Sequence, residues 1–158
     1  MKRCSIGDIQ VHAVMGQFDE KTGLAVVSKD LTLASLPPDR RYSPAYDISM
    51  RQDVQADRIE YWPTLSIKDS HRRQVIYDAA EKALLIADEQ GLSDVGFYTF
   101  GYEVARIPSW EVAEEIVKAL HTHAKKEPKI KKAVIVASSP TQYSSLEFAL
   151  DNGSVIAP

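Results

Sequence analysis

The 158 residues contain one cysteine, Cys4, and only seven glycines. A lone thiol forms no internal disulfide and no multi-cysteine metal centre, and it fits a reducing compartment. The chain has no low-complexity tract, no internal repeat and no Gly/Ser linker, which excludes solenoid arrays and flexible tethers. No stretch approaches the roughly 20 apolar residues of a membrane span. Lys2 and Arg3 are followed by no apolar segment of signal-peptide type. A soluble, cytoplasmic protein without membrane association is expected. Lys and Arg number 19 against 22 Asp and Glu, a net charge of -3. That balance exerts no global pull on nucleic acid or anionic lipid, so no nucleic-acid partner is expected and a phosphate-bearing ligand has to be met by a local site.

Catalytic signatures are also missing. There is no His-Glu-x-x-His, no Gly-x-Ser-x-Gly, no P-loop and no dinucleotide-binding Gly-x-Gly-x-x-Gly. His121 and His123 lie two apart at a helix end, whereas ligands on one helical face stand three or four apart. They read as complements to the helix dipole. No metal site and no cofactor are expected, and the motifs name no catalytic residue.

What is present is a hydrophobic content of 44%, enough for one core and one domain over residues 1–158. Residues 71–90 place Val75, Ile76, Ala79, Ala80, Ala83, Leu84 and Ala87 at helical spacing, with Asp69 or Ser70 as N-cap and Gly91 suited to the left-handed position beyond the end. Residues 94–100 form a short apolar run, a buried strand. After a loop at 101–108, Ser109 caps a helix to about His123, with Trp110, Ala113, Ile116, Val117 and Leu120 as its buried stripe and an acidic opposite face. The lysine-rich stretch 125–132, broken by Pro128, reads as a solvated turn. Residues 133–137, Ala-Val-Ile-Val-Ala, are a buried strand. Ser139-Pro140-Thr141-Gln142 then has the form of a capping box opening a last helix. In the first half, residues 9–14 and 23–27 look like strands joined by a polar turn into an N-terminal hairpin. Residues 31–57 read as irregular, and 56–66 as a further strand that Pro63 ends.

Residues 79–150, taken as one string, resemble the second half of a macro domain. Three features carry the resemblance: the Ala-rich helix 79–87 leading through Gly91 into Val95-Gly96-Phe97, the strand-end loop 97–108 followed by a helix, and Lys132-Ala133-Val134-Ile135-Val136-Ala137 running into a helix containing Tyr143. The resemblance implies an α/β fold, a three-layer α/β/α mixed sheet, and a ligand of the ADP-ribose type. The loop takes the place of that family's glycine-rich diphosphate loop, with Gly101 and Pro108 in position. Gly7-Asp8-Ile9 has the form of the family's Gly-Asp-Ile, whose aspartate meets the adenine amino group. The implied ligand-binding residues are Asp8, Ile9, Phe100, Gly101, Tyr102, Glu103, Val104 and Arg106.

Physical chemistry adds detail to that set. Diphosphate binding wants unobstructed backbone N–H groups, which favours glycine. Glu103 repels a diphosphate if it points inward, whereas Arg106 is suited to a bidentate phosphate contact. Tyr102 either stacks on a base or packs over the sheet edge. The family's Asn-Ala-Ala-Asn stretch is absent after Asp8, and Glu103, Ala105 and Arg106 stand where it carries further glycines. The leading expectation is therefore binding of ADP-ribose or a related nucleotide without turnover. A ligand-free structural or protein-interaction module is the alternative, and a hydrolase of an ADP-ribose derivative, using Asp8 or Glu103 to activate water, is the third.

Overall fold

The computed structural model describes residues 2–16, 18, 20–28, 54–100, 102 and 105–158. The proline-rich segment 33–46, which the sequence leaves open as a lid, a dimer arm or plain loop, lies outside the described residues. Six strands form one mixed sheet: β1 (Lys2–Ile6), β2 (Ile9–Met15), β3 (Thr22–Val27), β4 (Ala56–Tyr61), β5 (Asp94–Tyr98) and β6 (Lys132–Ala137). Their order is β1-β2-β6-β5-β3-β4. Strands β2 to β6 run parallel, and β1 alone is antiparallel, paired with β2.

An N-terminal hairpin is present, but it is made one strand earlier than the sequence pattern implies. Ile6 pairs with Ile9 across the two-residue turn Gly7-Asp8, with Gly7 at φ 58°. A left-handed first turn residue is what a tight hairpin with the twist of its strands demands, and glycine takes it without steric cost. The strands at 9–15 and 22–27 do not pair with each other: β2 lies against β6, and β3 lies between β5 and β4. Strand β1 was hidden because only Ile6 in it is fully buried.

Alternation along β3 explains how both sheet faces become core. Leu24 and Val26 face one side with Val95, Phe97, Ala133 and Ile135, while Ala25 and Val27 face the other with Tyr98, Val134 and Val136. All of these are buried, as a sheet sandwiched in an α/β/α arrangement requires. Three helices cover the first face: α1 (Arg72–Glu89), α2 (Ser109–Ala124) and α3 (Pro140–Asp151), followed by a single turn, α4 (Gly153–Ile156). Ile76, Ala80, Leu84, Ile116, Leu120, Leu146 and Ala149 supply the contact. Each large side chain removed from water there contributes about 1.5–3 kcal/mol.

The helix ends follow the sequence unevenly. Gly91 takes φ 68° beyond α1, and Ser139 caps α3 by accepting from Gln142 N at 3.1 Å, as expected. Neither Asp69 nor Ser70 caps α1, whose N-cap is His71 without a side-chain bond. Ser109 is the first residue of α2 rather than its cap, a place taken by Pro108. The acidic face of α2 is not solvated: Glu111 and Glu115 are buried, with Arg72 forking onto Glu111 at 2.7 and 2.9 Å and Arg73 reaching Glu114 and Glu115. Trp110, placed by its spacing in the buried stripe, is 57% exposed.

The N-terminal ends of the parallel strands are fastened by two aspartates. Asp94 Oδ1 accepts from Gly23 N at 2.7 Å, where a Cβ on Gly23 would stand 2.9 Å from the Leu92 Cβ. Asp88 Oδ1, at the end of α1, accepts from Lys129 N and Ile130 N at 3.0 and 2.9 Å, fixing the lysine-rich turn before β6. Its other oxygen lies 2.7 Å from Nε2 of His123, which is fully buried. His123 is thus a core residue, not a surface complement to the helix dipole. No described helix is long and apolar enough to cross a membrane.

Candidate strand-end site

In a parallel sheet, loops and helix N-termini gather at the C-terminal ends of the strands, and ligands are met there. Here β2 ends at Met15-Gly16, β5 runs into Thr99-Phe100, and β6 runs into Ser138 and the Ser139 cap of α3. Gly16 N donates to Ala137 O at 2.9 Å, carrying the β2–β6 pairing to the rim. The starts of α2 and α3 are joined by Ser109 and Ser145 hydroxyls 2.8 Å apart and by Gln142 Nε2 donating to Ser109 O.

The sequence-derived residues divide between the two ends of the sheet. Asp8 and Ile9 precede β2 and so lie at its N-terminal end, where a Cβ on Gly7 would touch the Ala124 Cβ at 3.1 Å. Roughly 20 Å of strand separates them from the loop after β5. Ile9 is a fully buried core residue and Asp8 is exposed in a turn. The structure therefore does not bring them together with Phe100, Tyr102 and Arg106. The glycine at the rim end of β2 is Gly16, followed in the sequence by Gln17 and Phe18. The sequence signal for it is this second Gly-x-apolar triplet at a strand end, which lacks the aspartate of the first.

Within the loop, Gly101, Glu103 and Val104 lie outside the described residues. Phe100 is half-buried. Tyr102 is buried, its ring 5.1 Å from that of Trp62 and its hydroxyl 3.4 Å from Pro63 O. Burial pushes its phenol well above the ordinary range. Of the two readings of Tyr102, packing over the sheet edge is the one realised. Trp62 completes an aromatic layer with Phe97 and donates Nε1–H to Tyr98 O at 2.7 Å. A tight turn carries this layer: Thr99 N and Oγ1 both donate to Val136 O, Tyr102 N donates to Thr99 O, and Ile107 N to Tyr102 O.

Arg106 is exposed and holds φ 61°, the left-handed conformation that glycine adopts most cheaply. The positive end of α2 is already complemented by the Glu111 carboxylate in its first turn, which Arg72 in turn neutralises. Among the described residues no group of three or more His, Cys, Asp or Glu is placed to hold a metal ion.

No family model matches the sequence, and no curated protein matches it. Solved structures match the fold. The Oceanobacillus iheyensis macrodomain, as a point mutant with ADPR, gives a TM-score of 0.69 at 14% identity over 98% of this chain and 98% of that one. The same macrodomain with ADP gives 0.69 at 14% identity over 98% and 96%. Another of its point mutants gives 0.70 at 15% identity over 98% and 97%. Through the mixed six-stranded sheet and the helices that cover it, this chain has the macrodomain fold.

Proposed function

We propose that the chain binds ADP-ribose or a related nucleotide diphosphate at the C-terminal ends of its parallel strands and does not turn it over. The observation that carries this reading is the match over 98% of the chain to macrodomain structures that hold ADPR and ADP. The site assigned to the ligand comprises the loop 100–106, with Arg106 as the phosphate-facing cation, and the rim of β2 at Gly16 in place of Asp8 and Ile9. Arg106 suits the role because it is exposed, always charged and forked for phosphate oxygens. Isothermal titration with ADP-ribose, ADP and AMP tests the reading. Heat from ADP-ribose that is lost in Arg106→Glu supports it, and no heat from any of the three at high protein concentration overturns it. Incubation with an ADP-ribosylated peptide tests the absence of turnover, since release of free ADP-ribose contradicts it.

A ligand-free interaction module is the second reading. It is favoured by Tyr102 lying packed beneath Trp62 rather than turned toward a ligand.

A further inference from the structure

A second concavity lies at the outer edge of the sheet between β4 and α1, beside the C-terminal end of β4. Ala79 and Ala83, four apart on α1, face that edge, and their short side chains leave a cavity of about 250 Å³ above the strand. This space takes roughly eight waters at their liquid volume of ~30 Å³ each, or one small organic molecule. A longer side chain at position 79 would close it.

Three charged groups line the same space: Glu60 from the edge strand, and Asp78 and Lys82, one turn apart on α1. Glu60 Oε2 accepts from Arg58 Nε at 3.1 Å, and Asp78 Oδ1 accepts from Gln74 Nε2 at 2.8 Å. Among the described residues, the second oxygen of each carboxylate accepts no further bond. Lys82 is exposed and makes no ion pair among the described residues. A purely anionic ligand would meet two carboxylates against one ammonium. A purely cationic one would leave Lys82 facing it across a narrow space. A molecule carrying both charges on an apolar body answers all three groups and the alanine wall together.

We propose that this edge pocket binds a small zwitterion with a hydrocarbon body, a free aliphatic α-amino acid in its simplest form. The ammonium is held by Asp78 and Glu60, the carboxylate by Lys82, and the side chain lies on Ala79 and Ala83 with Tyr61 at the mouth. The site shares no residue with the loop 100–106, and although Pro63 at its margin accepts from the Tyr102 hydroxyl of that loop, leucine binding that persists in Arg106→Glu separates it from nucleotide binding.

Saturation-transfer NMR and titration calorimetry on the whole chain test it, using leucine, 3-methylbutylamine, 4-methylpentanoate and a lysine-containing tetrapeptide. The expected result is millimolar binding of leucine, with the amine and the acid each about tenfold weaker, the worth of one charge-assisted contact. Lys82→Ala and Asp78→Asn, both at exposed positions, each weaken leucine by about the same factor, while the melting temperature stays in place. Ala79→Leu fills the space and abolishes binding. Absence of any leucine signal overturns the proposal. So does amine binding as strong as leucine binding that is indifferent to Lys82→Ala, or leucine binding that persists in a folded Ala79→Leu chain. Preference for the tetrapeptide overturns it in favour of strand addition at the β4 edge.

Discussion

The two ends of the parallel strands are held by different kinds of chemistry. At the N-terminal ends, single carboxylates grip backbone N–H groups: Asp94 holds Gly23, and Asp88 holds Lys129 and Ile130 while touching His123. At the C-terminal ends, an aromatic layer of Trp62, Phe97 and Tyr102 props the loop from below. Directional bonds fix positions to within a few tenths of an ångström, whereas ring packing fixes volume. The difference sets carboxylate grips at one end against ring packing at the other, and the proposed ligand site lies at the second, as loops on a stiff scaffold commonly carry binding.

The sharpest way to break this contrast is at the aromatic layer. Trp62→Ala removes a buried indole and its bond to Tyr98 O, and a loss of about 3–5 kcal/mol is expected by urea unfolding. Trp62→Phe keeps most of the packing and separates the bond from the ring. If Trp62→Ala costs no more than a surface substitution, the layer does not support the loop.

At the opposite end, Asp88→Ala leaves two backbone N–H groups without their acceptor, and a loss of about 2 kcal/mol is expected. Amide exchange at Lys129 and Ile130 should accelerate in that variant. Unchanged exchange there would show that water replaces the carboxylate at no cost.

The pH dependence follows from His123. Burial is the main cause lowering its pKa below the ordinary 6.5, against the pull of Asp88, so the folded chain keeps it neutral where the unfolded chain already takes a proton. The unfolded state then binds more protons, and stability falls as pH drops below 6.5 and is fully present above it, with a slope of at most about 1.4 kcal/mol per pH unit for one proton. Melting curves between neutral and mildly acid pH measure this, and His123→Phe should flatten them. An unflattened curve assigns the slope to His12 and His121, whose pKa values burial also lowers.

The smallest effect is expected at the rim. Arg106→Gly relieves a left-handed backbone and should stabilise the chain by up to about 1 kcal/mol while weakening ADP-ribose binding. A variant that binds as well as the parent removes Arg106 from the proposed site.

Much of the second half was legible because its information is local. Helix periodicity placed α1 within a residue at each end, and Ser139-Pro140-Thr141-Gln142 announced α3 through its own cap. What failed depended on partners distant in sequence. His123 is buried by Asp88, 35 residues earlier by subtraction of their numbers, and Glu111 by Arg72, 39 away. Trp110 had the right spacing for the core, but its neighbours Glu111 and Glu115 took the buried face through the arginines of α1. Gly7-Asp8 illustrates a conflict of local signals: a glycine and aspartate between two β-prone runs mark a two-residue hairpin as readily as a ligand motif, and the hairpin is what forms. Of the candidate strand-end region, the place of the loop after β5 was legible from element order, whereas the rim end of β2 depended on which strands pair.

The strand order also governs how the chain is assembled in time. β5 and β6 lie at the centre, with β1 and β2 added on one flank and β3 and β4 on the other. Gln10 must wait for Lys132 to be synthesised before β2 gains its inner neighbour. On the ribosome, the first strands therefore emerge long before the pair they dock against, and in the interval the β1–β2 hairpin covers one edge of β2 while the edge that β6 will take stays open. Gly7 holds β1 on the outer edge of β2 and so leaves one open edge where there would be two, and substituting it should show first as poor yield from translation, ahead of any change in the melting point of the protein that does fold.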